Sequence, residues 1–202
     1  MHTLEDVLEL YTKSDDPRNP RICMDEQPVQ LFGETRVPIP STKDHPERVD
    51  DEYERKGTAS IIMFVEPLAA FRQATARPRR TKVDWAIEVA HLMNTHYVDC
   101  DTVTLVCDNL HTHTKGAFYE AFPNDKTREY ARRLNIVHTP KHGSWLGLLI
   151  ESSAECELSC LTSQCLTGRR IGEIEKLQSE TEAWSKKTGS THYLGGWALA
   201  RH

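Results

Sequence analysis

Two acidic residues in this 202-residue chain stand where acids are costly. In "RICMDEQPVQLFGE" a strand-like alternation carries Asp25, and in "TLVCDNLHTHT" a run of β-formers from Thr104 to Cys107 delivers Asp108 and Asn109 at the strand's end. Each has an ordinary explanation: an edge-strand charge paired with Lys or Arg for Asp25, an Asx turn or cap for Asp108. Taken as a pair they suggest other chemistry. Adjacent carboxylates repel, and divalent cations relieve the repulsion, because Mg²⁺ prefers oxygen ligands and keeps positions open for water and phosphate. Two such ions about 3.5 to 4 Å apart activate the attacking oxygen and stabilise the leaving one in phosphoryl transfer. A third acid is usually needed to complete such a site.

The elements around the acids decide whether they can meet. "RICMDEQPVQLFGE" alternates so that Ile22 and Met24 point one way, Cys23 and Asp25 the other. Residues 34 to 57 are rich in Pro and charge and read as an excursion, after which "TASIIMFVEP" and "FRQATARP" read as a second and a third strand. "TKVDWAIEVAHLMNTHY" predicts an amphipathic helix with Thr81 as N-cap and Val83, Ala86, Ile87, Ala90 and Met93 on its apolar face. "TVTLVCDN" is the next strand, "GAFYEAF" and "DKTREYARRL" are helical, "NIVHTP" is a short strand, and "SWLGLLIESSAECELSCLTSQCL" and "IGEIEKLQSETEAWSKK" are two more helices. An earlier helix, "LEDVLELY", opens the chain. The order, three strands followed by helix, strand, helices, strand and helices, predicts an α/β fold: an antiparallel meander extended by parallel strands through helical crossovers and flanked by helices. This is the order of a ribonuclease H-like mixed sheet, in which the strands bearing Asp25 and Asp108 become neighbours at the centre.

Composition narrows the class. Hydrophobic residues make up 38% and charged residues 27%, as in a globular domain. The longest apolar runs are broken by Glu66 and Pro67 and fall short of the ~18 residues of a membrane span. The acidic start "MHTLEDVLEL" lacks the basic-then-apolar pattern of a secretory signal, so a cytoplasmic location is expected. The six cysteines form no CxxC pair and are expected as free thiols rather than zinc ligands, with Cys23 and Cys107 as small buried fillers. The net charge of −5 hides two basic clusters, Arg72 to Lys82 and Lys126 to Lys141, which taken alone read as solvated faces.

Longer stretches carry a resemblance. "CMDEQPVQLFGE", "HPERVDDEYERKGTASIIMFVEPLAAFR", "RRTKVDWA", "VCDNLHTHT", "FYEAFP", "HTPKHGSWL" and "ECELSCLTSQCL" together resemble the catalytic domain of bacterial insertion-sequence transposases of the mariner superfamily, from about Tyr11 to Trp184. The resemblance implies a DDE metal triad on a ribonuclease H-like fold, two Mg²⁺ or Mn²⁺ ions, and metal-dependent DNA cleavage and strand transfer in cut-and-paste transposition. Its first acid falls on Asp25 and its second on Asp108. The third is displaced, because Gly147 stands at the family's Asn position and about five extra residues precede "AECELS". Matching from the right assigns Glu155; matching from the left points to Glu151, one helical turn away. Glu157 lies nearly opposite Glu155 on the helix and is a poor candidate.

The same resemblance implies double-stranded DNA partners, both transposon ends and target, a homodimer or larger assembly on them, and a nucleoid-associated place of work. Lys141 and His142 would touch the DNA backbone, with Arg79 and Arg80 of the first basic cluster. His111 and His113 either approach a phosphate or form a self-bonded His-Thr turn. Trp145, Leu146, Leu149 and Trp184 are expected in packing. The expected organisation is an N-terminal helix and linker over 1–20, the catalytic domain over 21–184 and a divergent tail over 185–202. Only 24 residues precede Asp25, where the family carries an end-recognising helix-turn-helix region, so the catalytic part alone is expected. The alternative is a truncated, non-catalytic remnant that dimerises with or inhibits a full-length transposase; a ribonuclease H-like nuclease of another kind is more distant.

Overall fold

The computed structural model describes residues 16–36, 43, 52–67, 69–139 and 145–190, with the side chains of 145–152 and 188–190 left aside. The helix expected over "LEDVLELY", most of the excursion after residue 34, and Lys141 and His142 lie outside the described residues.

Five strands form one sheet: β1 (Arg21–Glu34), β2 (Tyr53–Glu66), β3 (Phe71–Arg77), β4 (Val103–Cys107) and β5 (Leu134–His138), in the order β3-β2-β1-β4-β5. β2 pairs antiparallel with β1 and with β3, while β4 pairs parallel with β1 and with β5. This is the meander with parallel extension that the order of elements predicts, and it puts β1 at the centre. The helices are α1 (Lys82–Thr95), α2 (Ala117–Ala121), α3 (Asn124–Arg133), α4 (Trp145–Leu161), a π-helical turn over Thr162–Leu166, and α5 (Ile174–Ser190). No described helix is long and apolar enough to cross a membrane.

The period of two along β1 sorts the core into two layers. Ile22 and Met24 join Ile62, Phe64, Leu105, Trp85 and Phe118 on the side of α1, α2 and α3. Cys23 joins Ile61, Met63, Val106 and Val137 on the other side, under Ala154, Leu158 and Leu161 of α4. Both faces of the sheet are therefore covered, which explains why β4 is buried along its whole length and reads as a continuous apolar run rather than an alternation.

Thr81 caps α1 as expected: Asp84 N donates to Thr81 Oγ1 at 3.1 Å and Thr81 N donates to Asp84 Oδ2 at 3.0 Å. The buried stripe of α1 is rotated from the expected one. Trp85 and Val89 are buried with Ala86, Ala90 and Met93, whereas Val83 and Ile87 are only half-buried. The helix touches α2 as well as the sheet, with the Trp85 and Phe118 ring centroids 5.7 Å apart, and so buries a wider arc than a one-sided helix. Glu88 falls within that arc and is neutralised by Arg77 at 2.5 Å.

β2 starts at Tyr53, earlier than its apolar run, because cross-strand pairing with β1 continues through exposed polar residues beyond a bulge between Leu31 and Phe32. At that bulge Phe32 N donates to the Ile171 carbonyl at 3.0 Å, and a Cβ on Gly172 would stand 3.1 Å from Gly33 Cα and 3.2 Å from the Phe32 carbonyl oxygen. The helix expected up to Leu166 changes to π geometry at Thr162, whose hydroxyl donates to Gln27 Oε1 at 3.1 Å. α5 packs on edge strand β3: Ala74 N donates to Ser185 Oγ at 2.9 Å and Gln178 Nε2 to the Ala76 carbonyl at 3.1 Å. It continues past Trp184 to Ser190; Trp184 is buried and its indole N–H donates to Gln164 Oε1 at 2.9 Å.

Candidate active site

Cys23 pairs with Val106 across the parallel β1 and β4. That is the last pair of the β1–β4 ladder; Asp25 follows two residues on within β1, and Asp108 two residues on, just past the end of β4. The period of two puts Asp25 on the face of Cys23, which α4 covers, while the carboxylate of Asp108 reaches His113, stacked on Trp85 of the other layer. Asp108 thus stands at the carboxyl end of β4, beside the central strand that carries Asp25, the usual position of a site in an α/β sheet. Asp25 Oδ1 accepts from the Glu26 backbone N–H at 2.7 Å.

The second acid is held from the other face. His113, whose side chain is 2% exposed, has Nδ1 2.8 Å from Asp108 Oδ1 and Nε2 3.2 Å from Glu26 Oε1. Its Nδ1 also lies 3.4 Å from the Asp108 backbone carbonyl, in better alignment for a hydrogen bond than the closer carboxylate oxygen, so the short contact is an ion pair first. The ring stacks on Trp85 at a centroid distance of 5.6 Å. Arg80 Nε stands 3.4 Å from Glu26 Oε2, again at ion-pair distance. Burial disfavours charge on His113, but Asp108, Cys107 and Glu26 override it and push its pKa up to about 11. Burial also opposes charge on Asp108, yet His113, the Leu110 backbone and Arg80 hold its carboxyl below the usual carboxylate range. Asp108 therefore stands ionised at neutral pH.

The expected His-Thr turn is present, with His113 N donating to the Leu110 carbonyl at 3.0 Å and Thr114 N to the Thr112 carbonyl at 3.1 Å; beyond it, the His113 side chain is a buried bridge between two carboxylates, while His111 is exposed. The period of two held the signal. It sends Glu26 to the face opposite Asp25, into the layer under α1, where a carboxylate requires a cationic partner.

α4 crosses the Cys23 face of the sheet through Ala154, Leu158 and Leu161. Its C-terminal end is fixed near Gln27 by Thr162, and Ala154, two turns earlier, packs with Cys23 and Val106. Glu155 follows Ala154 and its side chain is exposed; the side chain of Glu151 lies outside those described. Glu157 points elsewhere, to Arg72 on β3 at 2.9 Å, and burial raises its pKa despite that partner. Arg79 and Arg80 are exposed at the start of α1, and Arg80 reaches the site's flank through Glu26.

The donor chemistry suits a hard divalent cation as far as two ligands go: both are carboxylates, and His113 engages only one oxygen of Asp108, Oδ1, at 2.8 Å. Among the described residues no group of three His, Cys, Asp or Glu side chains is arranged to hold a metal ion. The described cysteines are free thiols, with Cys23 and Cys107 buried.

Residues 20–178 match the family of DDE superfamily endonucleases, and the chain belongs to that family. No curated protein sequence gives a significant match. In fold it is similar to the Mos1 mariner paired-end complex with Mn (TM-score 0.55, 14% identity, 91% of this chain and 53% of that one). It is similar also to the Mos1 strand transfer complex (TM-score 0.54, 14% identity, 91% and 51%) and to the Mos1 paired-end complex with Mg (TM-score 0.50, 13% identity, 91% and 52%). The chain spans about half the length of the transposase chains it matches. Its sheet, with parallel and antiparallel strands flanked by helices, is ribonuclease H-like as expected.

Proposed function

We propose that this chain is the catalytic domain of a DNA transposase, carrying out cleavage at transposon ends and strand transfer to target DNA. The observation that supports the reading is that β1, which carries Asp25, pairs parallel with β4, whose end is followed by Asp108, in a chain that belongs to the DDE superfamily endonucleases. Asp25, Asp108 and Glu155 would hold two Mg²⁺ or Mn²⁺ ions, with Glu151 as the substitute third ligand; such ions, when bound, supply Lewis-acid charge to both oxygens of an in-line displacement. That the similar Mos1 assemblies were solved with Mn and with Mg supports the choice of metal.

The chain's own contribution is position and charge. No protein nucleophile is required, since water attacks the phosphodiester at the transposon end and the freed 3′-hydroxyl then attacks the target. Arg79, Arg80, Lys141 and His142 would neutralise DNA phosphates, so binding should weaken steeply with salt. Two copies or more would assemble on the ends, as paired-end complexes do for Mos1, in the nucleoid of the cell. The catalytic unit would run from Arg21 through α5, with 1–20 as linker and the last residues as a tail.

The test is Mn²⁺ titration by calorimetry together with nicking of supercoiled plasmid, on the full chain and on Asp25→Asn and Asp108→Asn. Binding and nicking that both variants abolish support the reading. A wild type that binds no Mn²⁺ and cuts no DNA favours the second reading, a non-catalytic remnant, for which the exposed side chain of Glu155 speaks.

A further inference from the structure

The proposed mechanism leaves a buried cluster unused, although it touches one of its acids. Glu26 is on the α1 face of β1 and its side chain is 3% exposed; His113 spans from it to Asp108, and Trp85 and Arg80 close the other sides. A carboxylate so deeply buried is costly unless its charge is met, and here His113 meets one oxygen at 3.2 Å while Arg80 faces the other at 3.4 Å as an ion pair without a hydrogen bond. The ring has little room to swing: Trp85 stacks on it, and its two nitrogens are each committed to a different strand.

Asp108 needs such a hold. It lies just past the last residue of β4, where strand pairing no longer fixes it, and its side chain is 44% exposed. An unheld Asp at a strand end samples several rotamers, and a ligand that must be ordered on binding loses affinity in proportion. From this geometry we infer that His113 is a positioning residue, a strut from Glu26 in the α1 layer to Asp108 that fixes one carboxylate oxygen and leaves the other free of the strut. The inference rests on the reading of Asp108 as a ligand, and it adds that the ligand's orientation is set from the opposite face of the sheet.

Two substitutions separate the halves of the strut. The Asn amide nitrogen can stand near the Nδ1 position and keep the contact to Asp108; the Gln amide nitrogen reaches the Nε2 position and keeps only the contact to Glu26. Mn²⁺ titration of the full chain is expected to show a dissociation constant raised ~10- to 100-fold in His113→Gln, the usual range for loss of an outer-shell partner, and close to the wild type in His113→Asn. Thermal midpoints of both variants are measured alongside; a merely structural role would lower both midpoints and shift both affinities together. Equal affinities in His113→Gln and the wild type, or equal losses in the two variants, overturn the strut. If the wild type binds no Mn²⁺, the metal reading fails by itself, and the strut is judged on the metal-free protein. There the ¹³C resonance of the Asp108 carboxyl, assigned by its absence in Asp108→Asn, should move in His113→Gln and stay in His113→Asn; an unmoved resonance in His113→Gln overturns it.

Discussion

Asp25 and Asp108 each lie two residues beyond Cys23 and Val106, the last pair joining the parallel strands β1 and β4. In the proposed reading a cation held by both would bind the folded chain and not the unfolded one, and so would stabilise it. Mn²⁺ at ~100 times its dissociation constant should add about 2.7 kcal/mol to the wild type. Asp25→Asn should show no such metal-dependent rise in thermal midpoint; an equal rise would place the cation elsewhere.

The third acid is decided by paired substitutions. Glu155→Gln is expected to reduce plasmid nicking ~100-fold or more, the scale of a misplaced catalytic group, while Glu151→Gln leaves most of it. The opposite result transfers the role to Glu151 and means that the extra residues before "AECELS" have shifted the helix by one turn.

Gly172 passes against the β1 bulge with no room for a methyl group. Backbone atoms at 3.1 and 3.2 Å cannot give way as a flexible side chain can. Gly172→Ala should therefore cost about 1 to 3 kcal/mol of stability, read as a lower urea midpoint with an unchanged slope.

Arg169 ties the end of the π-helical turn to α5 through Glu180, at 2.7 Å, and Lys176 adds a second contact at 3.0 Å. Arg169 first and Lys176 second hold the Glu180 pKa down to about 2 from an ordinary 4.5. A depressed acid contributes stability that is present above the unfolded value and lost as the pH falls through the folded one, so the window runs from 4.5 down to about 2. The pair is solvent-accessible and the contribution should stay below about 1 kcal/mol. Denaturant midpoints of Arg169→Ala should fall less steeply than the wild type across that window; identical slopes would remove the linkage.

What the sequence made legible was periodic or chemically unusual. The alternation of Ile22, Cys23, Met24 and Asp25 sorts the two faces of β1 correctly, and Thr81 announces the start of α1 through its capping box. Asp25 and Asp108 stood out because acids on strands need a reason. The beginning of β2 was hidden, because its exposed polar residues are held by hydrogen bonds to β1 and have no apolar rhythm. The burial arc of α1 was misjudged because contact with α2 is a tertiary fact, absent from the helix's own sequence. His113 could not be paired with Glu26 from spacing alone: 87 positions separate them, and only the sheet brings them together.

At the margin of the sheet, Ser185 and Gln178 of α5 occupy backbone groups of β3 that an open edge would offer to another strand. Without lifting that helix, a second chain finds no template there to extend. The protein is thereby protected on one flank from the runaway stacking to which bare margins are prone. Any partnership between copies on that flank must be written in side chains, where specificity can be selected residue by residue, and not in the indiscriminate grammar of the peptide backbone.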